Sequence, residues 1–379
     1  MVLTDKPYFP PFKDRADGPG VKKIIIMSMA GGFGHIKAGE ALLSYAQKKL
    51  KSVDTYHIDI SDIDPSLKKY AGGMYSFLSK TVPLFWYLIY EYFPVRVVQY
   101  LVSLRGLITT KVTDYIGAHD PDAIIFTNAI ILPLFLGRLK RQFPEIKLGV
   151  VVTDYHGHPY YNFEGINHYF VASQDVFQDL VRNGISRKKI TVTGIPISPA
   201  FYGNQKVSTL KKKYGIKNAF PTVLVVASFK VSDQQMVSLV QQLAASKKRV
   251  NVIVIAAGNS HLYQLLTTHF SEQEGVFLVK WTNVMNEYMA VADIVVTKAG
   301  GLTVSECLAL RKKMVIINPI PGQEERNAEF VKKNNLGKRV NHVDQIPEAV
   351  TKLLASKPAG PSIMVRQNPA KKIFTTIMR

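Results

Sequence analysis

Val21 to Met29 reads VKKIIIMSM and runs directly into Ala30-Gly31-Gly32-Phe33-Gly34-His35. A short apolar run that ends in glycines has the pattern of a strand buried on both faces and followed by a tight turn into a helix. That helix is expected from Lys37 to Leu50. Small residues in the turn let backbone amides approach a ligand, as the phosphate loops of open α/β sheets do. The dinucleotide fingerprint nevertheless fails, because Gly32-Phe33-Gly34 begins a G-x-G-x-x-G pattern in which Lys37 occupies the third glycine position, and no GK[ST] follows. Nicotinamide-type redox chemistry is therefore disfavoured.

Outward from this turn the same rhythm repeats. Thr55 to Ile60, Asp122 to Thr127 (DAIIFT), Lys147 to Thr153 (KLGVVVT) and His168 to Ala172 read as further strands, with enough chain between them for crossover helices. Between Thr191 and Pro221 the composition turns to Gly, Pro, Ser and Lys, as in a connection between domains, so a boundary is placed near residue 200. A second strand-helix series follows, with strands at Thr222 to Ala227, Val250 to Ala256, Gly275 to Val279, Ile294 to Thr297 and Met314 to Ile317. The expectation is an α/β chain of two Rossmann-like, doubly wound domains, residues 21–200 and 201–361. A polar lead-in (1–20) precedes them, and a C-terminal helix (362–379) follows that can pack on either.

The chain has 379 residues, more than one hydrophobic core usually supports, and its 47% hydrophobic and 20% charged content belongs to ordered globular proteins. A formal net charge of +20 calls for a partner of fixed negative charge: nucleic acid, an anionic membrane or a phosphorylated substrate. No RNA- or DNA-binding module is visible, which disfavours a basic nucleic-acid-binding protein. Cys307 is the only cysteine, so intrachain disulfides and cysteine-cluster metal sites are excluded and a cytoplasmic location is expected. The first twenty residues lack the layout of a signal peptide, and no apolar run reaches the ~18 residues of a spanning helix, so any membrane contact is expected to be peripheral.

Two glycine turns carry the candidate chemistry. His35, at the mouth of the first sheet, either takes a proton from an attacking hydroxyl or caps the helix and packs under the loop. In the second half Lys298-Ala299-Gly300-Gly301-Leu302-Thr303, with Glu306 one turn on, lies between a strand and a helix, where amides and the helix dipole stabilise a phosphate. The alternative is a plain strand-to-helix turn. A further loop at the same sheet edge, Asn318 to Ala328 (NPIPGQEERNA), offers amides and carboxylates for sugar hydroxyls. Asp62-Ile63-Asp64 and Asp120-Pro121-Asp122 echo a DxD metal motif but are read as solvated turns, and no metal or cofactor is expected.

Met74 to Leu107 is dense in aromatic residues, with Phe85, Trp86, Tyr87 and Tyr90 followed by Arg96 and Arg105. Rings at headgroup depth and cations facing anionic lipid make it a membrane or acceptor surface; a buried helical pair is the competing reading.

Taken together, AGGFGHIKAGEAL, VVTDYHGHP, ITVTGIPISPAF, WTNVMNEYMAVADIVVTKAGGLTVSECLAL and INPIPGQEERNAEFV resemble the diacylglycerol glycosyltransferases related to monogalactosyldiacylglycerol synthase and to processive glucosyltransferases. The likeness spans residues 21 to 345. It implies a GT-B fold and inverting, metal-independent transfer of glucose or galactose from a UDP-sugar, held by the C-terminal domain, to diacylglycerol or a glycosyl-diacylglycerol on the N-terminal domain. The setting would be the inner face of the cell membrane. The alternatives on this fold are an N-acetylglucosaminyltransferase and a nucleotide-sugar epimerase.

Carried over by motif, the resemblance makes His35 the base or another acceptor-side catalytic residue, with Asp154 and His156 near it. Trp281, Thr282 and Asn283 would flank the uracil. Lys298, Gly300, Gly301 and Thr303 would cradle the diphosphate, Glu306 would bind the ribose, and Pro321, Gly322, Gln323, Glu324 and Asn327 would face phosphates and sugar. Gly34 and Ser228 are further donor-site candidates. The chain departs from the family at Ala30-Gly31-Gly32-Phe33-Gly34, where three glycines are usual, and at Ser228-Phe229-Lys230, which replaces a more glycine-rich loop.

Overall fold

The computed structural model describes residues 21–29, 33–65, 109–130, 132–203, 206–246, 249–356 and 368–379. The chain forms two compact units, one comprising residues up to Ser198 together with Gln367–Arg379, the other Pro199–Arg366.

The first unit holds six strands: β1 (Lys22–Ser28), β2 (Val53–Asp59), β3 (Ala123–Phe126), β4 (Lys147–Val151), β5 (His168–Val171) and β6 (Ile190–Val192). They pair in parallel in the order β2-β1-β3-β4-β5-β6. Ile24 sits at the centre of the register, opposite Thr55 on one side and Ala123 on the other. Ile24 to Ser28 are all buried, as expected when helices cover both faces of a parallel sheet. Helix α1 (Phe33–Lys49) begins four residues earlier than its sequence pattern suggests, which brings Gly34 and His35 into its first turn.

The C-terminal helix packs on this first unit. Its Ala370, Ile373, Phe374 and Ile377 repeat at helical spacing and are buried against Ile24, Ile26, Ala123, Ile125 and Phe170 of the sheet and against Leu42 and Ala46 of α1. Gly149 on β4 makes this contact possible: a Cβ there would lie 3.0 Å from the Phe170 ring and 3.2 Å from Ile377 Cδ1. Burying the Ile373, Phe374 and Ile377 side chains contributes about 1.5–3 kcal/mol each.

The second unit repeats the theme with β7 (Thr222–Val226), β8 (Asn251–Ile255), β9 (Val276–Val279), β10 (Ile294–Thr297), β11 (Lys313–Ile317) and β12 (Gly337–Val340), in parallel order β12-β11-β10-β7-β8-β9. Its chain order reverses between β7 and β10, as in dinucleotide-binding sheets, whereas in the first unit the reversal lies between β1 and β3. The helix Asp233–Ala244 starts at a reciprocal capping box, with Gln235 N–H donating to Ser232 Oγ and Ser232 N–H to Gln235 Oε1.

Of the two acidic pairs read as solvated turns, one half differs. Asp122 pairs with Lys22 at 2.6 Å and accepts from Lys23 N–H on an exposed edge. Asp64, by contrast, is buried at 3% exposure, with Lys111 Nζ 3.7 Å away.

Candidate active site

Open parallel sheets carry their sites beyond the carboxyl ends of the strands, at the reversal of strand order. In the first unit that point is occupied by hydroxyls and imidazoles. Ser28 ends β1, Thr127 follows β3, and Thr153 and Asp154 follow β4; all four are buried. The first turn of α1 brings His35 over them. Its Nδ1 lies 2.8 Å from the Thr127 carbonyl and 3.0 Å from Thr153 Oγ1. In return, the Thr127 hydroxyl donates to the His35 carbonyl at 2.9 Å.

A carbonyl only accepts, so the bond to Thr127 O places the ring proton on Nδ1 and leaves the lone pair on Nε2. Burial pushes the His35 pKa below the ordinary histidine value, opposed by the Asp154 carboxylate and by the Thr127 carbonyl. The neutral ring with a free Nε2 lone pair is thus the favoured form, while Asp154 sits close enough to stabilise the imidazolium when a proton arrives. The same carboxylate raises the Tyr161 phenol further above its ordinary pKa, on top of its burial.

His156 is held differently. Its Nδ1 lies 3.2 Å from Asp179 Oδ2 on the helix Gln174–Arg182, and the same oxygen accepts from Gly157 N–H at 3.0 Å. Asn183 then donates to the Gly157 carbonyl at 2.7 Å. Burial works to raise the Asp179 pKa, but the bonds from His156, Gly157 and Arg182 together hold it below the usual carboxylate value. Gly157 is needed here because a Cβ would lie 2.7 Å from Asp179 Cβ and 3.1 Å from the Val176 carbonyl. The structure therefore joins His35 with Asp154 and ties His156 to the neighbouring helix.

In the second unit the strand ends carry charge. Lys298, just past β10, pairs with Glu324 at 2.9 Å, and Glu324, 7% exposed, also accepts from Ile320 N–H at 3.0 Å. Asn327 is fully buried and donates to the Ala299 carbonyl at 2.9 Å, which locks the glycine turn to the helix Gln323–Lys333. Gly300 is the N-cap of the helix Gly301–Ala309 and makes no side-chain cap hydrogen bond to its first amides. Thr303 and Glu306 are half-buried one turn on, and Pro321 and Gln323 are half-buried beside Gly322. Gly322 has φ +83, a left-handed conformation that favours glycine, and donates to Glu325 Oε2.

Ser228 is exposed at the end of β7, where Asn318, past β11, donates to the Lys230 carbonyl at 2.8 Å. Past β9, Trp281 is 66% exposed, Asn283 is exposed and Thr282 Oγ1 accepts from Val284 N–H. Phe85, Trp86, Tyr87, Tyr90, Arg96 and Arg105 lie outside the described residues. Ser28, His57, Thr127, Thr153 and Asp179 complete the first-unit site and were not singled out by motif. Three of them share a legible signal, a hydroxyl immediately ending or following a buried apolar strand.

Residues 35–197 match the family described as monogalactosyldiacylglycerol (MGDG) synthase, and residues 224–377 match the glycosyltransferase family 28 C-terminal domain. The chain belongs to this glycosyltransferase family. Among relatives, it is 27% identical over 344 residues to the processive diacylglycerol beta-glucosyltransferase of Staphylococcus carnosus, covering 88% of this chain and 84% of that one. It is 28% identical to the protein of the same name from Bacillus pumilus, covering 88% and 87%. Among solved structures, Acinetobacter baumannii MurG superposes with a TM-score of 0.59 at 13% identity, covering 94% of this chain and 99% of that one. The UDP-GlcNAc 2-epimerase of Neisseria meningitidis superposes with 0.58 at 13%, covering 94% and 99%. Those two likenesses establish the GT-B fold of this glycosyltransferase and nothing finer.

Proposed function

We propose that this glycosyltransferase moves glucose from UDP-glucose to the hydroxyl of diacylglycerol or of a glycosyl-diacylglycerol, inverting the anomeric carbon. The observation that carries the chemistry is the His35 ring, whose Nδ1 proton is committed to the Thr127 carbonyl and whose Nε2 has no hydrogen bond among the described residues. The acceptor hydroxyl gives its proton to Nε2 as its oxygen attacks the anomeric carbon. The bond from that carbon to the diphosphate oxygen breaks, UDP departs with the electron pair, and Asp154 stabilises the imidazolium. His156 keeps the loop carrying Asp154 in place through Asp179.

The second unit is proposed to hold the donor. Lys298, Thr303 and the uncapped amides at Gly300 and Gly301 suit the diphosphate, with Gly34 and Ser228 as further donor contacts. Glu306 suits the ribose, Trp281, Thr282 and Asn283 the uracil, and Pro321, Gly322, Gln323, Glu324 and Asn327 the sugar and phosphates. The departing charge is met by Lys298 and the helix dipole, so transfer is proposed to need no metal.

No helix among the described residues is long and apolar enough to cross a membrane, and the net charge of +20 favours attraction to anionic lipid. Peripheral attachment to the inner membrane face, with Phe85, Trp86, Tyr87, Tyr90, Arg96 and Arg105 contributing, completes the proposal.

The test is incubation with diacylglycerol liposomes and each of labelled UDP-glucose, UDP-galactose and UDP-N-acetylglucosamine, with and without EDTA. Glucolipid formed equally in both conditions supports the reading. A galactolipid or an N-acetylglucosaminyl product redirects the donor, and no glycolipid with any donor overturns the function.

A further inference from the structure

Beneath His35 lies a second histidine that the transfer reaction does not use. His57, on β2, places Nε2 at 2.7 Å from Ser28 Oγ. Ser28 Oγ is 2.7 Å from Thr127 Oγ1, and Thr127 Oγ1 is 2.9 Å from the His35 carbonyl. Four polar atoms are thus linked by three short gaps, and Ser28 Oγ also lies 3.3 Å from the His35 carbonyl, a longer contact than any of the three. The two hydroxyls carry one proton each, and the carbonyl carries none.

Only one arrangement puts a proton in each of the three short gaps, and it leaves the 3.3 Å contact from Ser28 to the His35 carbonyl without one. If Ser28 donated to His57, then either the two hydroxyl oxygens would face each other across 2.7 Å without a proton, or Thr127 would turn its proton away from the His35 carbonyl. With His57 protonated on Nε2, all three short gaps are filled: Nε2–H donates to Ser28, Ser28 to Thr127, and Thr127 to the His35 carbonyl. Ser28 and Thr127 are 0% and 1% exposed, so a proton missing from any gap has no water to replace it.

The geometry points to His57 as a positioning residue for His35, acting through Ser28 and Thr127 to fix the hydroxyl that clamps the His35 main chain while the Thr127 carbonyl fixes its ring. The proposal rests on the reading of His35 as the base.

Gly39 supplies an independent observation. It lies in the interior of α1, where glycine is disfavoured by roughly 0.5–1 kcal/mol relative to alanine. A Cβ at this position would fall 2.3 Å from His57 Nε2 and 2.7 Å from Ser28 Oγ, too close to both ends of that bond for either atom to stay in place. The helix tolerates glycine there because the His57–Ser28 contact needs the space. The charged groups acting on His57 are Glu40 from α1, itself paired with Lys37, and Asp59 from its own strand. Burial outweighs both carboxylates and lowers its pKa. The chain keeps its direction whether the ring is neutral or charged, because Nε2 donates in both states.

Three variants and one spectrum test this. His57→Leu removes the donor, His57→Gln restores an amide donor at comparable reach, and the Ser28→Ala/His57→Leu double variant breaks the same chain twice. The expected result for His57→Leu is a kcat lower by about tenfold, short of the ~10²-fold that a 1 Å misplacement costs, with an unchanged KM for the UDP-sugar. His57→Gln should recover most of it, and the double variant should be no worse than His57→Leu. Nitrogen-15 shifts of the wild-type rings should show His57 protonated on Nε2. A His57 protonated only on Nδ1, a folded His57→Leu with wild-type kcat, or a folded His57→Gln as slow as His57→Leu overturns the positioning role. His35→Ala separates the two readings: if it still transfers sugar, the base assignment itself fails, whereas an inactive His35→Ala beside a fully active His57→Leu removes only the proposal made for His57.

Discussion

The two units are built alike, each a six-stranded parallel sheet whose polar residues collect where the strand order reverses, but they collect opposite kinds of group. At the reversal in the first unit stand hydroxyls, two imidazoles whose pKa values are lowered by burial, and the single carboxylate of Asp154. At the equivalent strand ends of the second stand Lys298 and Glu324 as an ion pair, with Trp281 exposed to solvent past β9. Hydrogen-bonded neutral groups hold the His35 ring in one tautomer. An ion pair whose lysine is one-third exposed can turn that cation toward an arriving anion. One fold, used twice, thus suits two tasks because different side chains end the same strands.

The sharpest way to break that comparison is His35→Ala. If the first unit handles the proton, transfer falls by the ~10²–10⁴-fold that general bases contribute, while UDP binding measured calorimetrically stays unchanged. An equal loss of UDP affinity would mean that the two tasks are not divided in this way.

Lys298→Met is the complementary change, with the next largest effect. Removing a charge-assisted contact to phosphate costs about 1.5–3 kcal/mol, or roughly ten- to a hundredfold in the dissociation constant for UDP. Glu324 then loses its cation, so a small drop in melting temperature accompanies the change. Its failure to weaken UDP binding would place the diphosphate elsewhere on the second unit.

pH separates the units further. If the neutral His35 ring is the base, activity is complete above its pKa and falls about tenfold per unit below it. Burial sets that limb under the ordinary histidine value of about 6.5. Asp154→Asn removes a carboxylate that favours the imidazolium and should move the limb lower still, with kcat reduced. Stability follows the same sign: below about pH 6.5 the unfolded chain binds protons at His35 and His57 that the folded chain resists, so the melting temperature falls as the solution is acidified from there. An acid limb above 6.5 would contradict the assignment.

The sheets were legible because buried parallel strands are continuous apolar runs; Ile294 to Thr297 is read to the residue, and most other strands to within one or two. β6 and β12 escaped notice because Ile-Thr-Val and Gly-Lys-Arg-Val are too short and too polar to register as such runs. Gly337 belongs to β12 for a reason invisible in sequence: a Cβ there would fall 2.1 Å from the Met314 carbonyl of the next strand. His35 was legible from its place after a glycine turn. His57 was not, since a lone imidazole in an alternating strand becomes meaningful only when pairing sets Ile26 of β1 opposite it and brings Ser28 within reach. Asp179 was hidden likewise, as one acid on an amphipathic helix until the fold brings Gly157 and His156 against it.

The smallest expected effect discriminates best between a residue that builds the second unit and one that serves it. Trp281 is 66% exposed, so its ring buries little in the folded chain, and an exposed tryptophan past the end of β9 contributes little to the core. Stacking of a planar ring is worth about 0.5–1.5 kcal/mol, so Trp281→Ala should weaken UDP by no more than about tenfold. The melting temperature and the acid limb should not move, because the change touches neither the packed sheet nor the imidazoles. Phe in place of Trp should recover much of the affinity, as a face remains for the base to lie on. A fall in stability instead would show that the ring packs against the protein, and a fall in kcat with unchanged UDP affinity would carry Trp281 from donor binding to the reacting end of the substrate.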